Sequence, residues 1–353
     1  MTPKAGSTRR RFLCGVVGAG AAVGLGGLGL FNARKDGSEQ TGQSSGALLA
    51  SGLTPARRSS RAFGTTVSIE AWHSDRRAAM DAVNAAFGEL ALVEELLSIY
   101  RPDSQLCRLN HEKVLDGPHP YFLEVLLAAA EMSRRSRGAF DITVQPLWSV
   151  YADAKKSGSL PTAAAIEIAR GSVDWRQVVV ESNRVRLRGK DTQITLNGIA
   201  QGYAADRASS ALVAHGVAHA LVDSGEIGTI GGKPDGDLWS VGVQHPRHDD
   251  AYLSLARLNG RCLATSGDYA TTFSDDFRFN HLFDPRTGQS PTEFASVSIA
   301  APTAMMADAL STAVFVLGLE QGLALVDATP GADALVMLKD GRTMATRGFP
   351  KTA

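Results

Sequence analysis

The sequence predicts a fold of the α+β class, with short strands and packed helices in one integrated catalytic region. Helical stretches and short β runs follow one another without a regular βαβ alternation. No stretch beyond residue 61 has the composition of an interdomain linker, and no GxGxxG follows the first strand, which disfavours a doubly wound dinucleotide-binding sheet. With 353 residues and 44% hydrophobic content the chain can bury a sizeable core. Its 36 Lys and Arg balance 36 Asp and Glu, so no global field draws it to nucleic acid, and none is expected as a partner. The three cysteines (Cys14, Cys107, Cys262) have neither the CxxC spacing of zinc sites nor the density of a disulfide scaffold.

In chain order, residues 1–31 come first. Thr8-Arg9-Arg10-Arg11-Phe12-Leu13 precedes a Gly/Ala-rich apolar stretch that runs to Phe31, and this resembles a twin-arginine export signal. The folded part is then expected in the periplasm. Because no clean A-x-A cleavage site follows, an uncleaved leader tethering the protein to the inner membrane is the alternative. Residues 32–60 are Ser, Gly, Gln and charge with little apolar content, and are expected to be a flexible linker. The folded domain is expected over 61–345. Within it, alternation predicts a strand over Thr65–Trp72, and helical spacing of Ala78, Ala82, Ala85, Ala86, Leu90, Val93 and Leu97 predicts a helix over Ser74–Leu97. Tyr121–Ser136 reads as a second helix. Short strands are expected at Gln177–Val180, Val185–Leu187 and Gln193–Leu196, then a helix over Ala200–Ala214 that stops at His215-Gly216. Further strands are expected at Ala220–Val222, at Trp239–Gln244 beyond the Pro234-Asp235-Gly236 turn, and near Leu253–Leu258 and Ala295–Ala301. A helix over Ala304–Leu317 closes the series.

That last helix is the most informative segment. Between Glu293 and Glu320 the only ionisable side chain is Asp308, set among Ala, Met, Leu, Val and Phe on almost every face. A buried carboxylate needs a compensating partner. Thr312 follows at i+4, which places its hydroxyl on the same face. Two hard oxygens in a buried site suit Mg²⁺, whereas the plainer reading is a structural Asp accepting backbone hydrogen bonds. A second segment, Leu196-Asn197-Gly198-Ile199-Ala200-Gln201-Gly202, leads through Gly198 into a helix whose free N–H groups favour phosphate, although junctions of this kind are more often plain turns. A third, Asn280-His281-Leu282-Phe283-Asp284-Pro285-Arg286-Thr287-Gly288, is turn chemistry with one His, either a general base, a phosphate contact or a satisfied structural residue. Thr265-Ser266-Gly267-Asp268-Tyr269 reads as a polar loop. Gly138-Ala139-Phe140-Asp141 and Ser98-Ile99-Tyr100-Arg101-Pro102 each set an aromatic beside a polar turn, able to stack on a flat ring or simply to pack in the core.

Taken together and in this order, with Phe63-Gly64-Thr65 at their head, these segments resemble the ApbE family of FAD:protein FMN transferases over roughly Ala62 to Leu338. The resemblance implies Mg²⁺ held by the Gly198 carbonyl, Asp308 and Thr312, and FAD, the FMN donor, held near Phe63, Tyr100, Ala139, Phe140, Asp141, Thr195, Gln201 and Leu282. It also implies that His281, Asp308 and Thr312 serve catalysis, with His281 beside the reacting pyrophosphate. A threonine of an acceptor protein would attack the FMN phosphorus and AMP would leave. Thr195 stands where the family often has Asp, Gln201 where Lys or an acidic residue is usual, and Phe63 where Met is common. The glycine-rich element after the next strand is one residue short at Ser224-Gly225-Glu226. The Gln201 variant with a twin-arginine leader resembles the accessory subgroup associated with nitrous-oxide respiration, whose acceptor is a membrane flavoprotein. An FAD pyrophosphatase and a non-catalytic flavin-binding maturation factor are the alternatives.

Overall fold

The computed structural model describes residues 52–352. It opens with a hairpin in which β1 (Thr54–Ala62) and β2 (Thr65–His73) pair antiparallel along their whole length. Phe63 and Gly64 form the two-residue loop, both at positive φ (52° and 74°), the backbone that matches the twist of paired strands. The linker expected through residue 60 is thereby corrected. Residues 54–60 are strand, because pairing with β2 satisfies their backbone and Ala56 packs into the core, while composition registers only the exposed arginines and serines.

The chain continues through α1 (Arg76–Leu97), α2 (Gln105–Glu112), β3 (Val114–Asp116), α3 (Pro120–Arg135), α4 (Gln145–Lys156), α5 (Ala163–Arg170), β4 (Val178–Glu181) and β5 (Arg184–Leu187). Next come α6 (Ala200–Ala214), β6 (His219–Asp223), β7 (Ile227–Ile230), β8 (Trp239–His245), β9 (His248–Leu258) and β10 (Cys262–Gly267). The last elements are β11 (Phe294–Ala301), α7 (Ala304–Leu317), α8 (Leu319–Asp327), β12 (Asp333–Leu338) and β13 (Thr343–Ala345). An antiparallel sheet in the order β1-β2-β6-β7-β10-β11-β12-β13 forms the centre, with β3-β5-β4 and the β8-β9 hairpin as smaller sheets. The expected α+β class is what the structure has.

Period-two alternation sorts the strand residues between two cores. Val67, Ile69, Ala71, Ala220, Val222, Ala264, Val297, Ile299 and Val336 share a core with the apolar faces of α1, α6 and α7. Their neighbours Trp72, Leu221, Leu263, Ala300 and Leu335 point the other way and pack with Trp239, Val241 and Val243 of the β8-β9 hairpin. A third cluster stacks Tyr151 of α4 with Phe273 and Phe283 of the β10-β11 connection, ring centroids 5.3 and 5.1 Å away.

The helices expected at 200–214 and 304–317 have those bounds, and the two earlier ones agree within two residues. Gln193–Leu196, expected as a strand, forms no ladder. Asn110 takes the place of a neighbouring strand, accepting from the Ile194 N–H (2.7 Å) and donating to the Ile194 carbonyl (2.8 Å). Thr265–Gly267, expected as loop, is the end of β10, where Thr265 pairs with Ser298 and their hydroxyls lie 2.8 Å apart. The ordered region also outlasts residue 345: Phe349 is buried and Lys351 bridges to Ala256. The expected leader lies outside the described residues. Among those described, no helix is long and apolar enough to cross a membrane.

Candidate active site

The site is built on the contact between α6 and α7. Gly202 lets these helices meet: a Cβ there would lie 2.2 Å from the Ala304 carbonyl oxygen and 2.8 Å from Asp308 Cβ. Asp206, one turn along α6, accepts from the Ala304 and Met305 N–H groups (2.8 and 2.9 Å), so it caps α7 from outside that helix. Reciprocally, Asp308 of α7 accepts from the Gly202 N–H (3.0 Å) in the first turn of α6, whose N-cap Ile199 has no side-chain acceptor. The structural reading of Asp308 is thus half correct. Oδ2 is used by the fold, and Oδ1 has no hydrogen-bond partner among the described residues.

Burial pushes the Asp308 carboxyl up to about 7, with the Gly202 N–H opposing and the charge of Asp206 adding. Glu226, in the turn between β6 and β7, is pushed well above the usual carboxylate range by burial and then by the charge of Asp308. Asp206 and Asp223 are each raised to about 6, mainly by burial. No basic residue forms an ion pair with Asp308, Glu226, Asp206 or Asp223 among the described residues. Thr312 Oγ1 lies 3.1 Å from Ser266 Oγ, and a Cβ on Gly198 would stand 3.0 Å from Thr312 Oγ1, so two hydroxyls and the Gly198 backbone converge in the cleft that Asp308 also lines. An oxygen-rich, cation-poor donor set of this kind fits a hard divalent ion.

Asp308, Thr312, Gly198 and Glu226 line a cleft of about 570 Å³. Each metal-, flavin- or catalysis-related residue implied by the resemblance lines the same cleft, though the segments are far apart in the chain: Phe63, Tyr100, Ala139, Phe140, Asp141, Thr195, Gln201, His281 and Leu282 complete its walls. Phe63 is presented by the β1-β2 turn, its N–H donating to Glu94 Oε1 (2.7 Å). Tyr100 is 72% exposed, so it is no core residue; its hydroxyl accepts from Asn197 Nδ2 (3.4 Å). Asp141 has its oxygens occupied, Oδ1 by the Thr143 N–H and hydroxyl (2.7 and 2.6 Å) and Oδ2 by the Trp175 N–H (3.0 Å), while burial raises it to about 6. Gln201 donates to the Ser224 carbonyl (3.2 Å), and Thr195 Oγ1 accepts from the Asn197 N–H (3.3 Å). His281 is half-buried, and burial holds its pKa below the ordinary value. Its Nδ1 lies 3.3 Å from the Thr271 carbonyl. Donation from Nδ1 leaves Nε2 as the acceptor of the neutral ring.

Glu226, Ser266, Trp148 and Asn197 also line the cleft and were not singled out as site residues. Glu226 lies in the element noted as one residue short, which was the available signal. Ser266 looked like loop and had none.

The model of the ApbE family matches residues 63–336. The chain is 34% identical to the FAD:protein FMN transferase of Treponema pallidum over 296 residues, 76% of this chain and 80% of that protein. It is 29% identical to the enzyme of the same name from Salmonella typhimurium, over 82% of this chain and 86% of that one. Among solved structures, the ApbE protein of Thermotoga maritima superposes with a TM-score of 0.76 at 28% identity, covering 85% of this chain and all of that one. The Pseudomonas stutzeri flavinyl transferase ApbE does so at 0.73 and 29%, covering 84% and 95%. With the family model spanning most of the chain and the cleft assembled from its matching segments, this protein belongs to the ApbE family.

Proposed function

We propose that the chain is a FAD:protein FMN transferase that moves the FMN half of FAD onto a threonine hydroxyl of an acceptor protein. The observation that carries this is one cleft in which aromatic and apolar side chains line the walls beside buried carboxylates that have no ion-pair partner among the described residues. The named relatives support the same reading. Phe63, Tyr100 and Phe140 offer the apolar and aromatic surface a flavin or adenine ring needs. Asp308, Thr312 and the Gly198 carbonyl would hold Mg²⁺, which when bound offsets charge on the pyrophosphate. His281 Nε2, freed as acceptor by the Nδ1 contact to Thr271, takes the hydroxyl proton as the threonine oxygen bonds to the FMN phosphorus. The phosphoanhydride bond breaks and AMP carries away the bridging oxygen.

Threonine and water compete for that phosphorus, and docking in line can favour the threonine by roughly 7–11 kcal/mol. AMP release from FAD and Mg²⁺ should therefore be slow alone and much faster with the acceptor, which becomes fluorescent on a denaturing gel. Fast FMN release with no labelled acceptor would replace the transferase with a pyrophosphatase. Tight FAD binding without either product would leave a maturation factor.

The proposed location is the periplasm, supported by Arg9-Arg10 ahead of Phe12-Leu13. Changing both arginines to lysine should strand folded protein in the cytoplasm, because the export receptor reads guanidinium groups and not charge alone. The proposed acceptor is a membrane redox flavoprotein of nitrous-oxide respiration, a reading supported by Gln201 together with that leader. Loss of flavin labelling on that flavoprotein when this chain is deleted is the test.

A further inference from the structure

Three residues that do not line the cleft, Asp268, Arg247 and Lys339, converge on the loop that carries His281. Asp268, directly after β10, has a completely buried carboxylate. Arg247, from the turn between β8 and β9, engages it with both arms of its guanidinium, Nη1 to Oδ1 at 2.7 Å and Nη2 to Oδ2 at 2.8 Å. Lys339, just past β12, stands 3.3 Å from the same Oδ2. These cations also grip a second point on the loop. The Arg247 guanidinium lies 4.3 Å from the centre of the Phe277 ring, and Lys339 Nζ donates to the Phe277 carbonyl (2.9 Å). Phe277 sits at φ 59°, a left-handed backbone conformation that a non-glycine residue keeps only where its surroundings hold it.

From Phe277 the path to the cleft is short. Asn280, fully buried, donates to the Phe277 carbonyl (3.3 Å) and accepts from the Leu282 N–H (3.0 Å), so it brackets His281 on both sides. The His281 N–H donates to the Thr271 carbonyl (3.0 Å), the same oxygen that its Nδ1 approaches. The separate chain segments that carry Arg247, Asp268 and Lys339 therefore close one loop at both ends. We infer that Arg247 is a positioning residue: through its paired bonds to Asp268 and its stack on Phe277 it sets the orientation of His281 toward the reacting phosphate. Lysine cannot replace it fully, because an ammonium supplies neither the planar stack nor two parallel bonds.

The kinetic half of the inference rests on the transferase reading, and the structural half does not. In the full chain without FAD, labelled with ¹⁵N-histidine and with the His281 signal identified by its loss in His281→Gln, Arg247→Met should shift the His281 ring resonances and Arg247→Lys should shift them less. The signals of His245 and His248 move trivially and are disregarded. With FAD, Mg²⁺ and acceptor, Arg247→Met should lower kcat at least about tenfold with KM for FAD changed less than about threefold, the pattern of a lost orientation and not of lost ground-state binding. Arg247→Lys should recover part of kcat. Unchanged His281 signals with wild-type kcat overturn the inference, as does a kcat loss that merely follows the unfolded fraction. A shifted His281 signal in a protein whose wild type releases no AMP would keep the clamp and discard the transferase reading. If Arg247→Met does not fold, Lys339→Met takes its place in both measurements: shifted His281 signals with a lowered kcat support the clamp, and unchanged signals with wild-type kcat overturn it.

Discussion

A carboxylate deep in an apolar helix costs several kcal/mol unless hydrogen bonds or a cation offset it. Among the described residues Asp308 has one side-chain hydrogen bond, from the Gly202 N–H, and the charge of Asp206 works against its ionisation. Asp308→Ala should therefore abolish turnover while changing the stability of the FAD-free protein by no more than about 2 kcal/mol, since relief of burial offsets the lost bond. AMP release and urea unfolding on the same preparation check both halves; full activity would remove Asp308 from the site. Asp223 gives a cleaner test of burial, because the one side-chain bond it makes among the described residues, from the Gly225 N–H at 3.1 Å, survives in asparagine. Its folded pKa, raised to about 6, exceeds the unfolded value near 4, so the folded state holds the extra proton between them. The corresponding stability is present below about pH 4 and lost as pH rises through about 6. Asp223→Asn should match wild type near pH 4 and exceed it above pH 7, by at most about 3 kcal/mol at one pKa unit per 1.4 kcal/mol. A difference that does not grow with pH would count against burial as the cause. Asp308 stood out in the sequence because nothing else between Glu293 and Glu320 ionises. Glu226 and Ser266 did not, because a Glu in a turn and a Ser in what reads as a polar loop are common, and only their neighbours in the folded chain make them part of a cleft.

At the level of elements, the α6-α7 contact is the joint on which the site depends. Gly202→Ala would push a methyl to within 2.2 Å of the Ala304 carbonyl, so the helices must part and the Gly202 bond to Asp308 must lengthen. Overpacking of this kind costs roughly 1–3 kcal/mol, and here activity should fall further than stability, because the displaced group is Asp308. A drop in melting temperature with unchanged turnover would show that the site tolerates the separation. The bounds of α6 and α7 were legible because each stops at a glycine of positive φ, Gly216 and Gly318, and because α7 is a nearly unbroken apolar run of Ala, Leu, Val, Met and Phe. The extended run Gln193–Leu196 looked like a strand for an equally local reason. Asn110, far along the chain, supplies the hydrogen bonds a strand would have given, and no local pattern reports that.

For the molecule as a whole, β1 decides where the domain begins. A chain starting at residue 61, the boundary that composition suggests, loses a strand paired along its whole length with β2 and leaves a central strand as an open edge. It should aggregate or melt well below the full chain, whereas one starting at residue 52 should melt with it; equal melting temperatures for all three would make β1 dispensable. The sequence by itself determined the α+β class, the main helices, the family resemblance and each residue the cleft was expected to use. It could do so because helical periodicity is local and because chemistry-bearing residues stand out against apolar neighbours. Only the tertiary structure decided that Phe63, Tyr100, Gly198, His281 and Asp308 share one cleft and that Asp141 spends its oxygens on the fold. It alone brought Glu226 against Asp308 and tied the β8-β9 turn to the His281 loop through Arg247 and Asp268. The reason is that burial, charge coupling and hydrogen-bond completion are set by which segments sheet pairing and helix packing bring together, and those partners lie tens to hundreds of residues apart.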